Sequence, residues 1–152
     1  MSALAQILQQ EIVLVDRFLA LLQQEQLALR DIQPDALNTV VADKLHLVEQ
    51  MNQLVNERAR LTGAPQDTAA MSTWLAARAH EKAAAQLWPQ LIERAREAKR
   101  MHALNGQLIN IHLNQTSEAL KALGQQQTMH TTLYGANGQT FGSSGSRIVD
   151  AA

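Results

Sequence analysis

The sequence predicts an all-α fold, an antiparallel bundle of three long helices plus a short helix, with a flexible C-terminal tail. Hydrophobic residues make up 46% of the 152 residues, but aromatic residues only 3%. Alanine, leucine and glutamine dominate, and this mix favours helix over strand because straight-chain side chains lose little rotamer freedom in a helix. Apolar residues also recur at helical spacing in three long stretches. A chain of this length can bury the core of one domain.

The first helix begins beside Ser2, whose hydroxyl group can cap it, and runs to about Asp31. Glu11 and Glu25 interrupt its apolar stripe, and we therefore expect this stripe to lie partly at an edge of the bundle. The apolar members of the stripe keep helical spacing and predict a core face: Leu4, Ile7, Leu8, Val15, Phe18, Leu19, Leu22 and Leu29.

The second helix begins at Pro34, because a proline in the first turn loses no intrahelical hydrogen bond. Gly63 and Pro65 supply its stop signal. Short connections between long helices favour antiparallel neighbours. The second helix is expected to pack through one apolar stripe: Leu37, Val40, Val41, Val48, Met51, Val55 and Ala59.

A short third helix follows, capped by Asp67 or Thr68 and running to about His80. Pro89 lacks an N–H group for the carbonyl four residues back, which predicts a kink or break near residues 85 to 89. The last long helix then ends at Gly124, a residue type that readily adopts the left-handed conformation found after helix C-termini.

The last helix carries two apolar stripes. The first stripe runs along its whole length and predicts a core-facing surface: Trp88, Leu91, Ala95, Ala98, His102, Ile109, Leu113, Leu120 and Leu123. The second stripe lies well to one side and consists of Met101, Leu104, Leu108 and Ile111. Such a stripe can face a second helix of the same bundle, or it can form an exposed groove for a partner helix. The apolar residues Met71, Trp74 and Leu75 of the short helix are candidates to cover it.

Residues 1–124 therefore form the predicted helical domain, and residues 125–152 the flexible tail, which is rich in glycine and serine. Within the tail, Asn137-Gly138 is a tight-turn signal because both residues tolerate positive φ. Two interpretations remain open for the apolar residues around this turn. They belong either to a mobile tail with one local turn or to a short linear motif that a partner recognises.

Composition excludes several classes of protein. The formal net charge of -1, with basic residues scattered among acidic ones, gives no field that would attract nucleic acid. The absence of cysteine removes disulfides, thiol nucleophiles and thiolate metal sites. The first residues lack the basic and apolar regions of a signal peptide, and no apolar run reaches the roughly 20 residues that span a bilayer. A cytoplasmic protein without membrane insertion is expected.

The sequence offers no catalytic constellation, and we expect neither an enzyme nor a bound cofactor. None of the five histidines pairs with another at the spacing that places two metal ligands on one helix face, so no metal site is predicted. The acidic residues alternate with basic ones, as on a solvated helix surface. Phosphate loops, nucleophile elbows and dinucleotide fingerprints do not occur.

One short string suggests an alternative chemistry. His102-Ala103-Leu104-Asn105-Gly106 resembles the His-x-Leu-Lys-Gly string of histidine phosphotransfer domains, which are also helical bundles. Asn105 replaces the lysine that would help to hold the phosphoryl group, and His102 falls on the stripe assigned to the core. A partly buried, hydrogen-bonded histidine is the simpler interpretation. A plain coiled-coil module that forms oligomers through the second stripe is a further alternative.

Two strings resemble the FlgN family of flagellar export chaperones. One is Asn105-Gly106-x-Leu108-Ile109 in the last helix, and the more specific one lies in the tail: Thr132-Leu133-Tyr134-Gly135-Ala136-Asn137-Gly138-Gln139-Thr140. The resemblance implies an all-helical cytoplasmic chaperone of the flagellar type III export system. Its clients would be the two hook-filament junction proteins, whose C-terminal helical segments are held by the last helix of the chaperone.

The resemblance also implies two sets of binding residues. The client-binding region of the family corresponds here to Met101, Leu104, Asn105, Gly106, Leu108 and Ile111. The tyrosine of the Leu-Tyr-Gly string is associated in the family with docking on the cytoplasmic domain of the export gate, and the matching residues are Leu133, Tyr134 and Gly135.

Overall fold

The computed structural model describes residues 1–127, and within this range all regular structure is helical. Helix α1 spans Ala3–Asp31, α2 Pro34–Thr62, α3 Thr68–Ala76 and α4 Lys82–Gln127, with a 3₁₀ turn at Ala79–Glu81 before α4. The all-α fold class is therefore confirmed for the described residues. The chain divides into one compact unit over residues 1–109 and a second that begins at Asn110. The tail predicted for residues 125–152 lies almost wholly outside the described range and stays a prediction.

The helix ends follow the local signals of the sequence. The Ser2 hydroxyl oxygen accepts a hydrogen bond from the Ala5 N–H at 3.0 Å and caps α1. Pro34 occupies the first turn of α2, and Gly63 ends that helix with a left-handed φ of 76°. Asp67 caps α3 by accepting from the Ala70 N–H at 2.7 Å. Each cap satisfies a backbone group that a helix end otherwise leaves without a partner.

Three predicted boundaries are wrong. Helix α3 ends at Ala76, well before His80. Helix α4 continues through Pro89 without a break, because Trp88 and Leu91 on either side are buried in the core while the proline ring faces solvent. Tertiary packing thus outweighs the hydrogen bond that Pro89 cannot donate. Helix α4 also passes through Gly124 and remains helical to Gln127, the last described residue.

The three long helices of the first unit run up, down and up. Helices α1 and α2 form an antiparallel pair, in which Glu11 lies opposite Arg58 and Glu25 opposite Lys44. Helices α1 and α4 run parallel, because two successive reversals separate them. Their parallel register is shown by hydrogen bonds from Ser2 to Glu81 at 2.6 Å and from Arg94 to Asp16 at 2.9 Å.

The principal hydrophobic core lies where the start of α1, helix α3 and the start of α4 meet. Its buried members are Leu4, Ala5, Leu8, Ile12, Met71, Leu75, Ala84, Trp88 and Leu91. The Trp88 indole N–H donates to the Thr68 carbonyl oxygen at 3.4 Å, and the Arg58 guanidinium group lies 5.1 Å from the centre of its ring. Trp88 therefore joins α2, α3 and α4. Met71 and Leu75 of α3 belong to this core, and the suggestion that they cover the second stripe is wrong.

Glu11 and Glu25 are buried between α1 and α2, so the expectation that they mark an exposed edge is wrong. The Arg58 guanidinium group donates two hydrogen bonds to the Glu11 carboxylate, at 2.8 and 3.1 Å. The Lys44 ammonium group donates to both oxygens of Glu25, at 3.2 and 3.0 Å. Each acidic residue that interrupts the stripe of α1 is thus matched by a basic residue of α2.

Burial raises the pKa of Glu11 above its ordinary value of 4.5, and Arg58 offsets this only in part. A carboxyl group with a raised folded-state pKa contributes stability that is fully present below its unfolded pKa and is lost as the pH rises through the folded-state pKa. Relative to Glu11→Gln, the wild-type protein is therefore expected to lose stability as the pH rises above 4.5, the ordinary pKa of the carboxyl group. Urea unfolding followed by circular dichroism, at a series of pH values on both sides of this value, measures the difference.

Glu11→Gln also changes the hydrogen bonds to Arg58, so the slope of the stability difference against pH, and not its value at one pH, tests the prediction. The same substitution at Glu57, an exposed residue of α2, serves as the control. A stability difference between wild type and Glu11→Gln that stays constant with pH would contradict the raised pKa.

Candidate partner-binding site

The inward face of α4 follows a heptad repeat. One position of this repeat is occupied by Ala84, Leu91, Ala98 and Asn105, all of which are buried. The second position is occupied by half-buried residues: Leu87, Arg94, Met101 and Leu108. The first stripe shares the row of Leu91 and Ala98, but its other members from Trp88 to Ile109, also seven residues apart, lie on the opposite side of that row from Met101. The buried face is therefore rotated about the helix axis relative to the first stripe.

The burial of individual residues corrects the assignment of the first stripe. Trp88, Leu91 and Ala98 are buried as predicted, but Ala95, His102 and Ile109 are exposed. In the second unit, Leu113, Leu120 and Leu123 of the same stripe are exposed as well. The prediction that the first stripe faces the core is therefore correct only for Trp88, Leu91 and Ala98. The stripe has the right seven-residue period, but the pattern of one helix does not show which side of the row of Leu91 and Ala98 faces its neighbours.

The second stripe is partly embedded and partly exposed. Met101 and Leu108 are half-buried, whereas the Leu104 side chain is 44% exposed. Ile111, in the second unit, is 50% exposed. A Cβ atom added to Gly106 would meet no atom within 4 Å, so no described helix makes use of the space beside this glycine. Glycine in a helix interior costs about 1 kcal/mol relative to alanine, and no described contact inside the protein offsets that cost.

Asn105, which the resemblance places among the client-binding residues, is buried beneath this surface. Its side chain is only 1% exposed. Its Nδ2 group donates to the Leu22 carbonyl oxygen and to the Glu25 carboxylate, both at 2.9 Å. Glu25 in turn accepts from Lys44, so these side chains form a buried polar cluster that joins α1, α2 and α4. Asn105 fixes the position of α4 against α1, which sets the direction in which Leu104 and Leu108 point.

A second apolar surface, not predicted from the sequence, lies between α2 and α4. This α2–α4 groove has a volume of about 430 Å³ and is lined by Phe18, Val41, Lys44, Leu45, Val48, Ala98, Lys99 and His102. Val41 and Val48 belong to the apolar stripe through which α2 was expected to pack, but both are exposed. Val40 of the same stripe is buried, and so is Leu47, which was not assigned to it. The apolar residues of α2 cover enough of its circumference to form two faces. This feature of the sequence could have indicated the α2–α4 groove.

The family-model comparison decides which family this chain represents. Residues 1–141 match the model described as FlgN protein. The chain belongs to the FlgN family. FlgN membership indicates a flagellar export chaperone role and agrees with the resemblance carried by Asn105-Gly106 and the tail string. No curated protein and no solved structure matches the chain significantly.

FlgN membership and the positions of two residues argue against the phosphotransfer alternative. His102 is exposed and lines the α2–α4 groove, so the expectation of a partly buried histidine is wrong. Asn105, which stands where phosphotransfer domains carry a lysine, is turned inward onto Glu25. FlgN is a chaperone family and not a known enzyme family. The chaperone interpretation is therefore retained in preference to phosphotransfer.

Several further properties concern only the residues that the structure describes. Among residues 1–127, no three acidic or histidine side chains come together in a way that could hold a metal ion. None of the helices in this range is long and apolar enough to cross a membrane. The gate-docking residues predicted for this FlgN chain, Leu133, Tyr134 and Gly135, lie outside the described range.

Proposed function

We propose that this chain is a cytoplasmic export chaperone for hook-filament junction proteins. It binds their C-terminal helical segments on α4, prevents their premature assembly and delivers them to the flagellar type III export gate. The FlgN family match supports the chaperone role. The choice of clients and of the export gate follows the resemblance of the two strings described above.

The exposure of apolar side chains along α4 is the observation that supports the client surface. Six large hydrophobic residues between positions 104 and 123 are more than 40% exposed: Leu104, Ile109, Ile111, Leu113, Leu120 and Leu123. Single exposed apolar residues are ordinary, but a series along one helix is typical of a surface that a partner covers. Leu104 and Ile111 of this series belong to the second stripe, and we assign that stripe, together with Gly106, to the client.

The contact is expected to be reversible. A client segment that is disordered when free pays an ordering cost of about 2 to 5 kcal/mol when it folds onto the chaperone, which limits affinity and eases release. Gly106 leaves room for the backbone of a client helix to approach α4 closely. No nucleotide or metal is needed for such a contact, because burial of apolar surface drives it.

The tail supplies a second, separate contact in this proposal. Leu133, Tyr134 and Gly135 dock on the cytoplasmic domain of the export gate while α4 holds the client. Tethering two binding elements on one chain raises the effective concentration of one partner for the other. Client loading thereby promotes delivery without any chemical step.

Leu104→Asp is expected to lower the affinity for a junction protein at least about tenfold, because the lost burial of one leucine is worth about 1.5 to 3 kcal/mol. The side chain is already 44% exposed, so the fold of the free protein should persist. Isothermal titration with a purified junction protein measures the affinity, and circular dichroism checks the helical content. Leu27→Asp, on α1 and 51% exposed, is the matched control that should bind normally.

Tyr134→Ala is the variant that tests gate docking separately from client binding. It should bind the junction protein with wild-type affinity and lose affinity only for the cytoplasmic domain of the gate. Wild-type client affinity in Leu104→Asp would remove the second stripe from the proposal. Wild-type gate affinity in Tyr134→Ala would remove the tail string.

A further inference from the structure

The α2–α4 groove is an apolar surface that the described part of the protein leaves open. Val41, Leu45 and Val48 on its α2 wall are 49%, 67% and 38% exposed. Ala98 and His102 stand on the α4 wall, and Phe18 of α1 is half-buried among the lining residues. Helices α2 and α4 both pack on α1, and the space between their outer edges forms the groove.

The spacing of the wall residues matches the shape of a helix. Val41, Leu45 and Val48 are separated by four and three residues, and Ala98 and His102 by four. Residues at these spacings form ridges and grooves into which the side chains of another helix can pack. Three helices with an open apolar groove between two of them need one more helix to complete a four-helix bundle. A helix is therefore the occupant whose shape fits the groove.

The charge of the lining indicates which helix fits. The polar side chains that line the groove are Lys44, Lys99 and His102. All three carry nitrogen hydrogen-bond donors or acceptors, and no carboxylate lines the groove. Lys44 is already bonded to the buried Glu25, so Lys99 and His102 give the α4 edge its basic character. Acidic residues on the edge of an incoming helix that faces α4 would meet complementary charge.

We propose that the α2–α4 groove binds an amphipathic helix of the export client whose apolar stripe is bordered by acidic residues. This inference rests on the proposed function for the identity of the partner. It adds a second client-binding surface, on the side of α4 opposite to Leu104. A client held by both surfaces would present two helical elements to the chaperone.

Alkylation of single cysteines tests the groove directly, because the natural chain contains no cysteine. The variants Leu45→Cys in the groove, Leu104→Cys on the second stripe and Leu61→Cys elsewhere on α2 all replace exposed leucines. Each full-length variant is reacted with iodoacetamide, with and without a purified junction protein. At a client concentration ten times Kd, alkylation of Leu45→Cys should slow about tenfold, whereas Leu61→Cys should react at its unchanged rate.

The outcomes separate this inference from the proposed function. Slowing at Leu104→Cys with no change at Leu45→Cys overturns the groove inference and leaves the proposed function standing. No slowing at either position overturns both. Slowing at Leu45→Cys that follows the concentration of the chain itself, without client, assigns the groove to a second copy and overturns the inference.

Charge reversal tests the acidic border of the client helix. Lys99→Glu should weaken client binding severalfold at low salt and less at high salt, because salt screens exposed charges. Lys99→Arg keeps the charge and should retain wild-type affinity. Equal affinity of wild type and Lys99→Glu at low salt would overturn the assignment of an acidic helix.

Discussion

Trp88→Ala is expected to destabilise the protein by about 3 to 5 kcal/mol, the usual cost of truncating a large buried aromatic side chain. Trp88 is only 6% exposed and packs in the main core with α1 and α3. Truncation also removes the donor to the Thr68 carbonyl oxygen and the ring beneath the Arg58 guanidinium group. Urea unfolding followed by far-ultraviolet circular dichroism gives the change in the free energy of unfolding.

Trp74→Ala is the matched control, because it removes the other tryptophan from a half-buried position. The Arg78 guanidinium group lies 3.8 Å from the centre of the Trp74 ring, at the surface of α3. Its loss should cost close to the roughly 1 kcal/mol that is typical of point substitutions. Equal losses for the two variants would contradict the central role assigned to Trp88.

Asn105→Asp is expected to cost about 3 to 5 kcal/mol at neutral pH, because it leaves a buried charge without adequate compensation. The substitution replaces the Nδ2 donor by a carboxylate oxygen 2.9 Å from Glu25 and from the Leu22 carbonyl oxygen. One Lys44 ammonium group would then face two carboxylates. Like charges at this distance favour protonation of one group, so the loss should shrink as the pH falls below about 5. Urea unfolding at pH 7 and pH 4 measures both effects.

The double variant Glu25→Gln with Asn105→Asp provides the control. The first substitution supplies an amide donor to the carboxylate that the second introduces, and it removes one of the two negative charges. Part of the lost stability should therefore return. Recovery beyond the sum of the single effects measures the coupling between the two side chains. Unchanged stability of Asn105→Asp at pH 7 would contradict the buried cluster and the position that it sets for α4.

Loss of the Asn105 hydrogen bonds is also expected to weaken client binding. If Asn105 fixes the position of α4, then a variant that keeps the helix but loses the hydrogen bonds should bind the client less tightly without any direct contact being removed. The sequence placed Asn105 among the client-binding residues because it adjoins Gly106 in the string. Its burial changes the expected role from contact to positioning.

Helix ends were predictable because their signals act between neighbouring residues. Ser2, Asp67 and Gly63 cap or end helices through hydrogen bonds or backbone conformations that span only a few positions. The failure at Pro89 has the same origin, since a local rule predicted a break that burial of Trp88 and Leu91 overrides. Local rules are reliable only where no long-range contact competes with them.

The candidate site was less predictable than the helices. Leu104 was placed on an exposed stripe, and its exposure agrees with that placement. His102 was expected in the core and is exposed, whereas Asn105 was expected at the client-binding surface and is buried. The two residues are three apart, so a small rotation of the inward face of α4 decides which of them is covered. Packing against α1 and α2 sets that rotation, and the apolar pattern of α4 alone does not show it.

The amino-acid sequence was sufficient to predict the all-helical class, most helix ends and the resemblance to the FlgN family. These depend on composition, on neighbouring residues and on short motifs, all of which are local. The parallel course of α1 and α4, the pairing of Glu11 and Glu25 with α2, and the open α2–α4 groove became visible only in the packed structure. These depend on which helices meet and at what rotation, and that is set by the summed packing of residues distant in the chain.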